Sequence, residues 1–244
     1  MKIKYVLFSL LLFSYGSIGA QGIKHSYIPL IGDEAPVFTA ETTSGSINFP
    51  GDYGRKWKIL FSHPRDFTPV CSSELLTLAQ MQGEFEKLNV QIVVVSTDEL
   101  KTHNLWKKEM EATVYKGKQP VIINFPLVDD HKWDIAKQYG MLHQIISGTR
   151  DVRGVFIINP DNKVEVVLFY PMNLGRNMDE IKRVVVALQT AGSSKDRYLM
   201  PANWRVGDDV LVSKFPYTEK ELKDNPDIKS AYYNVGSFMY FKKL

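Results

Sequence analysis

Hydrophobic and polar positions fall into short blocks whose period changes along the chain. Trp57 to Ser62 (WKILFS) is a short apolar run that fits a buried strand, and the His63-Pro64 pair after it disfavours helix and marks a loop. From Cys71 to Leu88 apolar residues recur every three or four places, through Leu75, Leu78, Met81 and Phe85, with Glu and Lys between them. That spacing predicts an amphipathic helix beginning at or just before Cys71. Val90 to Ser96 (VQIVVVS) is rich in β-branched residues and nearly continuously apolar, as a central strand covered on both faces requires. Leu100 to Ala112 reads as a second helix, Phe125 to Val128 as a short strand and Trp133 to Tyr139 as a short helix. Val155 to Ile158 and Val164 to Tyr170 read as two strands joined by the turn residues Asn159-Pro160-Asp161-Asn162. Met178 to Leu188 carries a helical apolar face, and Ala191 to Lys195 looks like a linker to a small C-terminal unit. His25 to Asp52, rich in Gly, Pro, Ser and Thr, predicts an irregular or hairpin entry segment.

Strands alternating with helices predict an α/β fold, and the hairpin at Val155 to Tyr170 makes its sheet mixed. With 44% hydrophobic and 23% charged residues, the chain has the balance of a folded globular protein and not of a disordered one. Its 244 residues suit one main domain with a small appendage.

The first twenty residues stand apart. Met1 to Lys4 is basic, Tyr5 to Tyr15 is mostly apolar, and Ser17-Ile18-Gly19-Ala20 is small, the pattern of a cleavable secretory signal peptide over 1–20. The apolar run falls short of the roughly 20 residues that cross a bilayer, so an uncleaved anchor is the weaker reading and no stable membrane insertion is expected after cleavage. Export to a periplasmic or extracellular location follows as an expectation. Removing the leader takes Lys2 and Lys4 and lowers the formal net charge from +3 to +1. The remaining lysines are scattered, with no basic stripe interleaved with aromatics, so nucleic acid is not an expected partner.

Cys71 is the only cysteine, so no intramolecular disulfide can form, and an unpaired thiol in an exported chain calls for a reason. The bland reading is a buried structural cysteine. The stretch from Phe61 to Glu74 argues otherwise, because it places the thiol where a proline-bearing loop meets a helix. Free amides and the macrodipole at a helix N-terminus favour an anion, hence the nucleophilic thiolate. Pro64 and Pro69 stiffen the loop, and Thr68, three residues before Cys71, could bring its hydroxyl near both the sulfur and a substrate oxygen.

Pro64, Thr68 and Cys71 meet the Pro-x-x-x-Thr-x-x-Cys pattern, and the chain resembles the peroxiredoxins. The unbroken run from Ser62 to Cys71 (SHPRDFTPVC), with Glu74 following, is similar to the single-cysteine subgroup of peroxiredoxin-6 type. Further matching pieces are Val152 to Phe156, Tyr170-Pro171, Gly175-Arg176-Asn177 and Asn203 to Asp208. The resemblance implies a thioredoxin-like core over 28–190, a central mixed sheet flanked by helices, followed by a C-terminal dimerisation or arm domain over 196–244. It also implies that Cys71 is the peroxidatic residue and that Arg153 completes the site from a distant strand. Read on its own, Arg153 would more commonly make a surface ion pair. A guanidinium at that place stabilises thiolate and can donate to the peroxide as charge moves to the leaving oxygen. Arg176 and Glu74 are candidates for a supporting layer that orients Arg153, and His63 for a peripheral role. His25, His103, His131 and His143 form no ligand motif, so neither metal nor organic cofactor is expected, and Asp129-Asp130-His131 reads as a solvated turn. Some members carry a lipase serine upstream of the loop, but Phe49 to Gly54 has no serine at that place.

The expected chemistry is reduction of hydrogen peroxide and organic hydroperoxides through a Cys71 sulfenic acid, an antioxidant function. With no second cysteine, an external thiol or other reductant has to restore the enzyme. The competing reading is a non-catalytic holdase or binding protein on the same fold with an inert Cys71, which a reactive thiolate would exclude. A Cys71–His63 hydrolase would need a third group to orient the histidine and an acyl pocket, and the sequence identifies neither. The apolar strand Val164 to Tyr170, if it lies at a sheet edge, predicts a homodimer and allows a higher oligomer.

Overall fold

The computed structural model describes residues 28–193, 198–214 and 217–244, so the expected leader over 1–20 lies outside the described residues. The entry segment contains a hairpin, β1 (Phe38–Thr42) and β2 (Gly45–Phe49), and leads to the buried strand β3 (Trp57–Ser62). Helix α1 (Pro69–Lys87), strand β4 (Val90–Ser96) and helix α2 (Leu100–Glu111) follow the predicted blocks within about two residues. The short strand is β5 (Leu127–Asp129), the short helix α3 (Asp134–Gln138), and the two later strands β6 (Arg153–Ile158) and β7 (Val164–Tyr170). Helix α4 (Met178–Gly192) runs four residues past the predicted end at Leu188, so Ala191 and Gly192 belong to the helix and not to a linker. The C-terminal unit holds β8 (Val210–Val212), α5 (Glu219–Asp224), α6 (Pro226–Ala231), β9 (Tyr232–Val235) and β10 (Met239–Lys242).

Seven strands form one mixed sheet in the order β2-β1-β5-β4-β3-β6-β7. β4 is central, with parallel neighbours β3 and β5, and β6 and β7 add antiparallel strands on the side of β3. Strand alternation sorts the core into two layers. Ile59, Phe61, Ile92, Val94, Val155 and Ile157 face α1, α2 and α4. Leu60, Val93, Val95, Phe156 and Ile158 face α3 and the entry segment, with Tyr139 and Phe38 among them. This is why Val90 to Ser96 shows no polar face in the sequence: both of its faces are covered.

Two details tie the lower edge of the sheet. Lys58, buried in β3, donates from Nζ to the Gly54 carbonyl and to Asn162 Oδ1, both at 2.6 Å, which pins two turns together. Asn162 holds the left-handed conformation (φ 62°) in the β6–β7 turn, as an Asn there can. The C-terminal unit meets the main body through Trp204 and Val210, buried against Ala187 of α4, and Arg183 Nη1 donates to the Trp204 carbonyl at 3.1 Å. Its own three-stranded sheet has the order β8-β10-β9. Among the described residues no helix is long and apolar enough to cross a membrane.

Candidate active site

The loop after β3 lifts the chain over the C-terminal ends of the central strands and delivers it into α1. Phe67 takes a left-handed conformation (φ 55°), uncommon for a bulky residue, and turns the chain sharply before Thr68. Thr68 is the N-cap residue, extended at φ −103° and ψ 146°, and Pro69 is the first helical residue, where its missing N–H costs nothing. No side chain caps this helix, so the amides of Val70 and Cys71 keep their first-turn positions without a side-chain acceptor. Cys71 lies in that first turn, fully buried.

Arg153, the first residue of β6, reaches this turn across the sheet. Its Nη1 lies 3.3 Å from Cys71 Sγ and donates to Glu74 Oε2 at 2.7 Å. Nε and Nη2 both donate to the Met172 carbonyl, at 2.9 and 2.6 Å. Of the five guanidinium hydrogens, one on Nη2 is left for another acceptor. Glu74 lies one turn below Cys71 in α1 and joins two arginines. Arg176 donates to it from its backbone N and Nε (Oε1, 2.8 and 2.9 Å) and from Nη2 (Oε2, 2.8 Å). Arg176 Nη1 donates to the Ser62 and Gly154 carbonyls at 2.8 and 2.7 Å, and its guanidinium stacks 4.3 Å from the Phe61 ring centre. Burial pushes the Glu74 carboxyl up, but the hydrogen bonds and charge of Arg176 outweigh it and hold the group below the usual range. The structure thus brings Cys71, Glu74, Arg153 and Arg176 into one buried network.

Thr68 and His63 stand differently. The Thr68 hydroxyl donates to the Arg65 carbonyl at 2.8 Å, so its hydrogen is spent inside the loop and not on the sulfur. Its oxygen lone pairs remain for a donor. Pro64 is buried at the base of the loop. His63 points into a second network that the sequence does not reveal: Nε2 lies 2.8 Å from Asp66 Oδ1, and His103 Nδ1 lies 2.7 Å from Asp66 Oδ2. Its ring packs 5.1 Å from Trp106, whose Nε1 donates to Ser72 Oγ at 3.3 Å. Burial would raise the Asp66 carboxyl, but hydrogen bonds from His103 and His63 dominate and hold it at about 2. His63, Asp66 and Asp98 are close enough to share an ion, yet both Asp66 oxygens are already engaged by imidazoles, and Asp98 Oδ2 accepts the Asp66 N–H and the Ser96 hydroxyl. That donor set fits a hydrogen-bonded network and not a metal centre.

Asp129-Asp130-His131 is not a solvated turn throughout. Asp130 is buried and accepts the Ile135 and Ala136 amides at 3.0 and 2.7 Å, closing the start of α3, while Asp129 accepts the Leu100 amide at 2.9 Å at the start of α2. The sequence shows three polar residues; only the fold puts two helix starts beside them. Sequence reasoning also missed the Met172 carbonyl and Ser62, the first because a backbone acceptor leaves no residue signal. A cavity of about 660 Å³ beside Phe38, Glu41, Asp129 and Lys137 belongs to the α3 side of the sheet, whereas Cys71 lies on the α1 side.

The chain matches known proteins over most of its length. The AhpC/TSA family model matches residues 31–167. A peroxiredoxin of Methanosarcina mazei is 50% identical over 186 residues, 76% of this chain and 84% of that protein. Peroxiredoxin-6 of Bos taurus is 43% identical over 188 residues, 75% of this chain and 82% of that protein. Among solved structures, a yeast mitochondrial 1-Cys peroxiredoxin superposes with a TM-score of 0.75 at 32% identity, covering 89% of this chain and all of that one. A mutant of the peroxiredoxin 6 of Arenicola marina gives 0.74 at 30% identity, covering 88% and 97%.

Proposed function

The chain belongs to the AhpC/TSA family, the peroxiredoxins, and is a thiol-dependent peroxidase on a thioredoxin-like α/β fold; from that premise we propose that Cys71 is its peroxidatic nucleophile and Arg153 the group that activates it. The single observation that carries this reading is the 3.3 Å approach of Arg153 Nη1 to Cys71 Sγ in the first turn of α1. A holdase with an inert thiol is not favoured, since it needs no guanidinium beside the sulfur.

The Cys71 thiolate attacks the terminal oxygen of the peroxide along the O–O axis. An S–O bond forms, the O–O bond breaks, and the leaving hydroxide or alkoxide takes a proton to become water or alcohol, while the sulfur is oxidised by two electrons to sulfenic acid. Thr68, its own hydrogen held by the Arg65 carbonyl, can only accept from the peroxide O–H, and the remaining Nη2 hydrogen of Arg153 can donate to the oxygen gaining charge. Pro64 and Pro69 keep the loop stiff around that space.

An external thiol restores the enzyme: it condenses with the sulfenic acid, expelling water to give a mixed disulfide, and a second thiol releases Cys71. The thiol of the yeast relative is resolved via glutathione/thioredoxin systems, and a small thiol or a dithiol protein is the corresponding reductant class here. The leader pattern over 1–20 supports export, and β7 at the sheet edge, with six of its seven residues only half-buried, supports a homodimer.

The test is trapping. Reduced protein treated with one equivalent of hydrogen peroxide and a dimedone-type reagent is expected to gain one adduct by intact mass, and Cys71→Ser to gain none. Absence of the adduct from folded, reduced protein would refute the assignment.

A further inference from the structure

Ser62 closes β3, and its hydroxyl sits between the two peptide groups that flank Arg153. Oγ donates to the Val152 carbonyl at 2.6 Å and accepts the Gly154 N–H at 2.8 Å. The same N–H reaches the Val152 carbonyl at 3.0 Å, so residues 152–154 form a three-residue turn with Arg153 at its apex. The regular pairing of β3 with β6 ends one step earlier, at Phe61 with Val155. Beyond that point a side-chain hydroxyl takes over from the ladder and braces a bend.

The bend has requirements visible around it. A Cβ on Gly154 would lie 2.9 Å from Ser62 Oγ and 3.2 Å from the Phe169 ring, so the hydroxyl holds its place only because residue 154 has no side chain. Arg176 Nη1 grips the carbonyls of Ser62 and Gly154, which fixes the pair of strands from the other direction. The apex side chain then spans from β6 to the sulfur at 3.3 Å, a contact that a displacement of about an ångström would break.

We propose that Ser62 is a positioning residue of the peroxidase, its hydroxyl fixing the bend at Arg153 that delivers the guanidinium to Cys71 and the reacting oxygen. This rests on Cys71 and Arg153 being the reacting pair. It also accounts for Gly154, whose role is to leave room for the hydroxyl.

Stopped-flow oxidation of full-length, reduced Ser62→Ala by hydrogen peroxide tests it. The Gly154 N–H and the Val152 carbonyl retain each other as partners in this variant, so no group is orphaned and the fold is expected to survive. The rate should fall roughly 10- to 100-fold, as for a reacting group misplaced by about an ångström, and the pH profile of the reaction should move to higher pH. Ser62→Thr, which keeps the hydroxyl, should recover most of the rate. Gly154→Ala should be slow, and Ser62→Ala/Gly154→Ala less than additive, because both act on one contact. A wild-type rate and pH profile for Ser62→Ala overturn the proposal. If that variant does not fold, equal rates for Ser62→Thr and Gly154→Ala overturn it. Arg153→Lys separates the two levels: a wild-type rate there refutes the reacting pair itself, whereas a slow Arg153→Lys beside a wild-type Ser62→Ala refutes only the role of Ser62.

Discussion

Glu74 and Arg176 form a forked, buried pair, with Nε on Oε1 at 2.9 Å and Nη2 on Oε2 at 2.8 Å. The same carboxylate also holds Arg153 Nη1, so one acid joins both arginines and, with the Met172 carbonyl, places the guanidinium beside Cys71. Removing one partner from a buried pair leaves a desolvated charge and costs roughly 3–5 kcal/mol.

Arg176→Lys is therefore not conservative. A lysine cannot reproduce the fork on Glu74 together with the two bonds to Ser62 and Gly154 carbonyls. Its urea midpoint is expected to fall, and its rate of Cys71 oxidation to drop at least about tenfold as Glu74, no longer held in the fork, shifts against Arg153. Equal midpoints and rates would show that the pair is dispensable.

The Asp66 network gives a pH signature. His103 faces the Asp66 carboxylate with Nδ1 and the Val128 carbonyl with Nε2, two acceptors, so both nitrogens are best satisfied when protonated. Burial would lower His103, but the bond and charge of Asp66 outweigh it and raise the group above 6.5. A raised histidine stabilises fully below its unfolded value and loses that contribution as pH rises through the folded one. The depressed Asp66 does the reverse, stabilising above 3.8 and losing its part, on the order of 2 kcal/mol, as pH falls toward about 2. Between these limits the pair contributes most, so Asp66→Asn should flatten the thermal midpoint against pH and lower it most at pH values of about 4 to 6.5.

Asp151 is fully buried, and neither of its carboxylate oxygens has a partner among the described residues. Burial pushes its carboxyl well up from 3.8, with Asp130 and Asp98 adding to the shift. The native state then holds a proton that the unfolded chain has released, so stability falls as pH rises from the unfolded value through the folded one. Asp151→Val, similar in volume, should stabilise the protein by roughly 1–3 kcal/mol at neutral pH, with the gain shrinking toward pH 4. Urea titrations at the two pH values check both statements, and a gain that does not shrink would place the cause elsewhere.

The edge strand β7 offers the last test. Leu168 is only half-buried there, and a charge on an exposed edge discourages pairing with another chain. In sedimentation the unaltered protein is expected to give the proposed dimer mass and Leu168→Lys the monomer mass. A dimer surviving the substitution would move the interface away from this edge.

The main-body elements were legible in the sequence because their causes are local. β-branched runs bounded by turn residues gave β4 and β7 to the residue, and the three-to-four spacing gave α1 and its start near Cys71. The end of α4 was not legible, since Ala and Gly in the last turn carry no apolar signal. The Thr68 hydroxyl donates to the Arg65 carbonyl, a backbone acceptor that no spacing rule displays. His103 belongs to no sequence motif, because it lies 37 residues from Asp66 and meets it only through packing.

By itself, the sequence determined where the lone thiol sits, the helix that begins beside it and the loop of Pro64, Thr68 and Pro69 that carries it, because each depends on neighbours a few residues away. The family resemblance implied Arg153, Glu74 and Arg176, but only tertiary structure decided the geometry in which these distant groups converge. Arg153 stands 82 positions from Cys71 and Arg176 102 from Glu74, and both arrive because the antiparallel β6 starts where the parallel strands end. Ser62 belongs to both accounts: in sequence it is the last residue of a strand, and only strand pairing reveals that its hydroxyl braces the bend at Arg153.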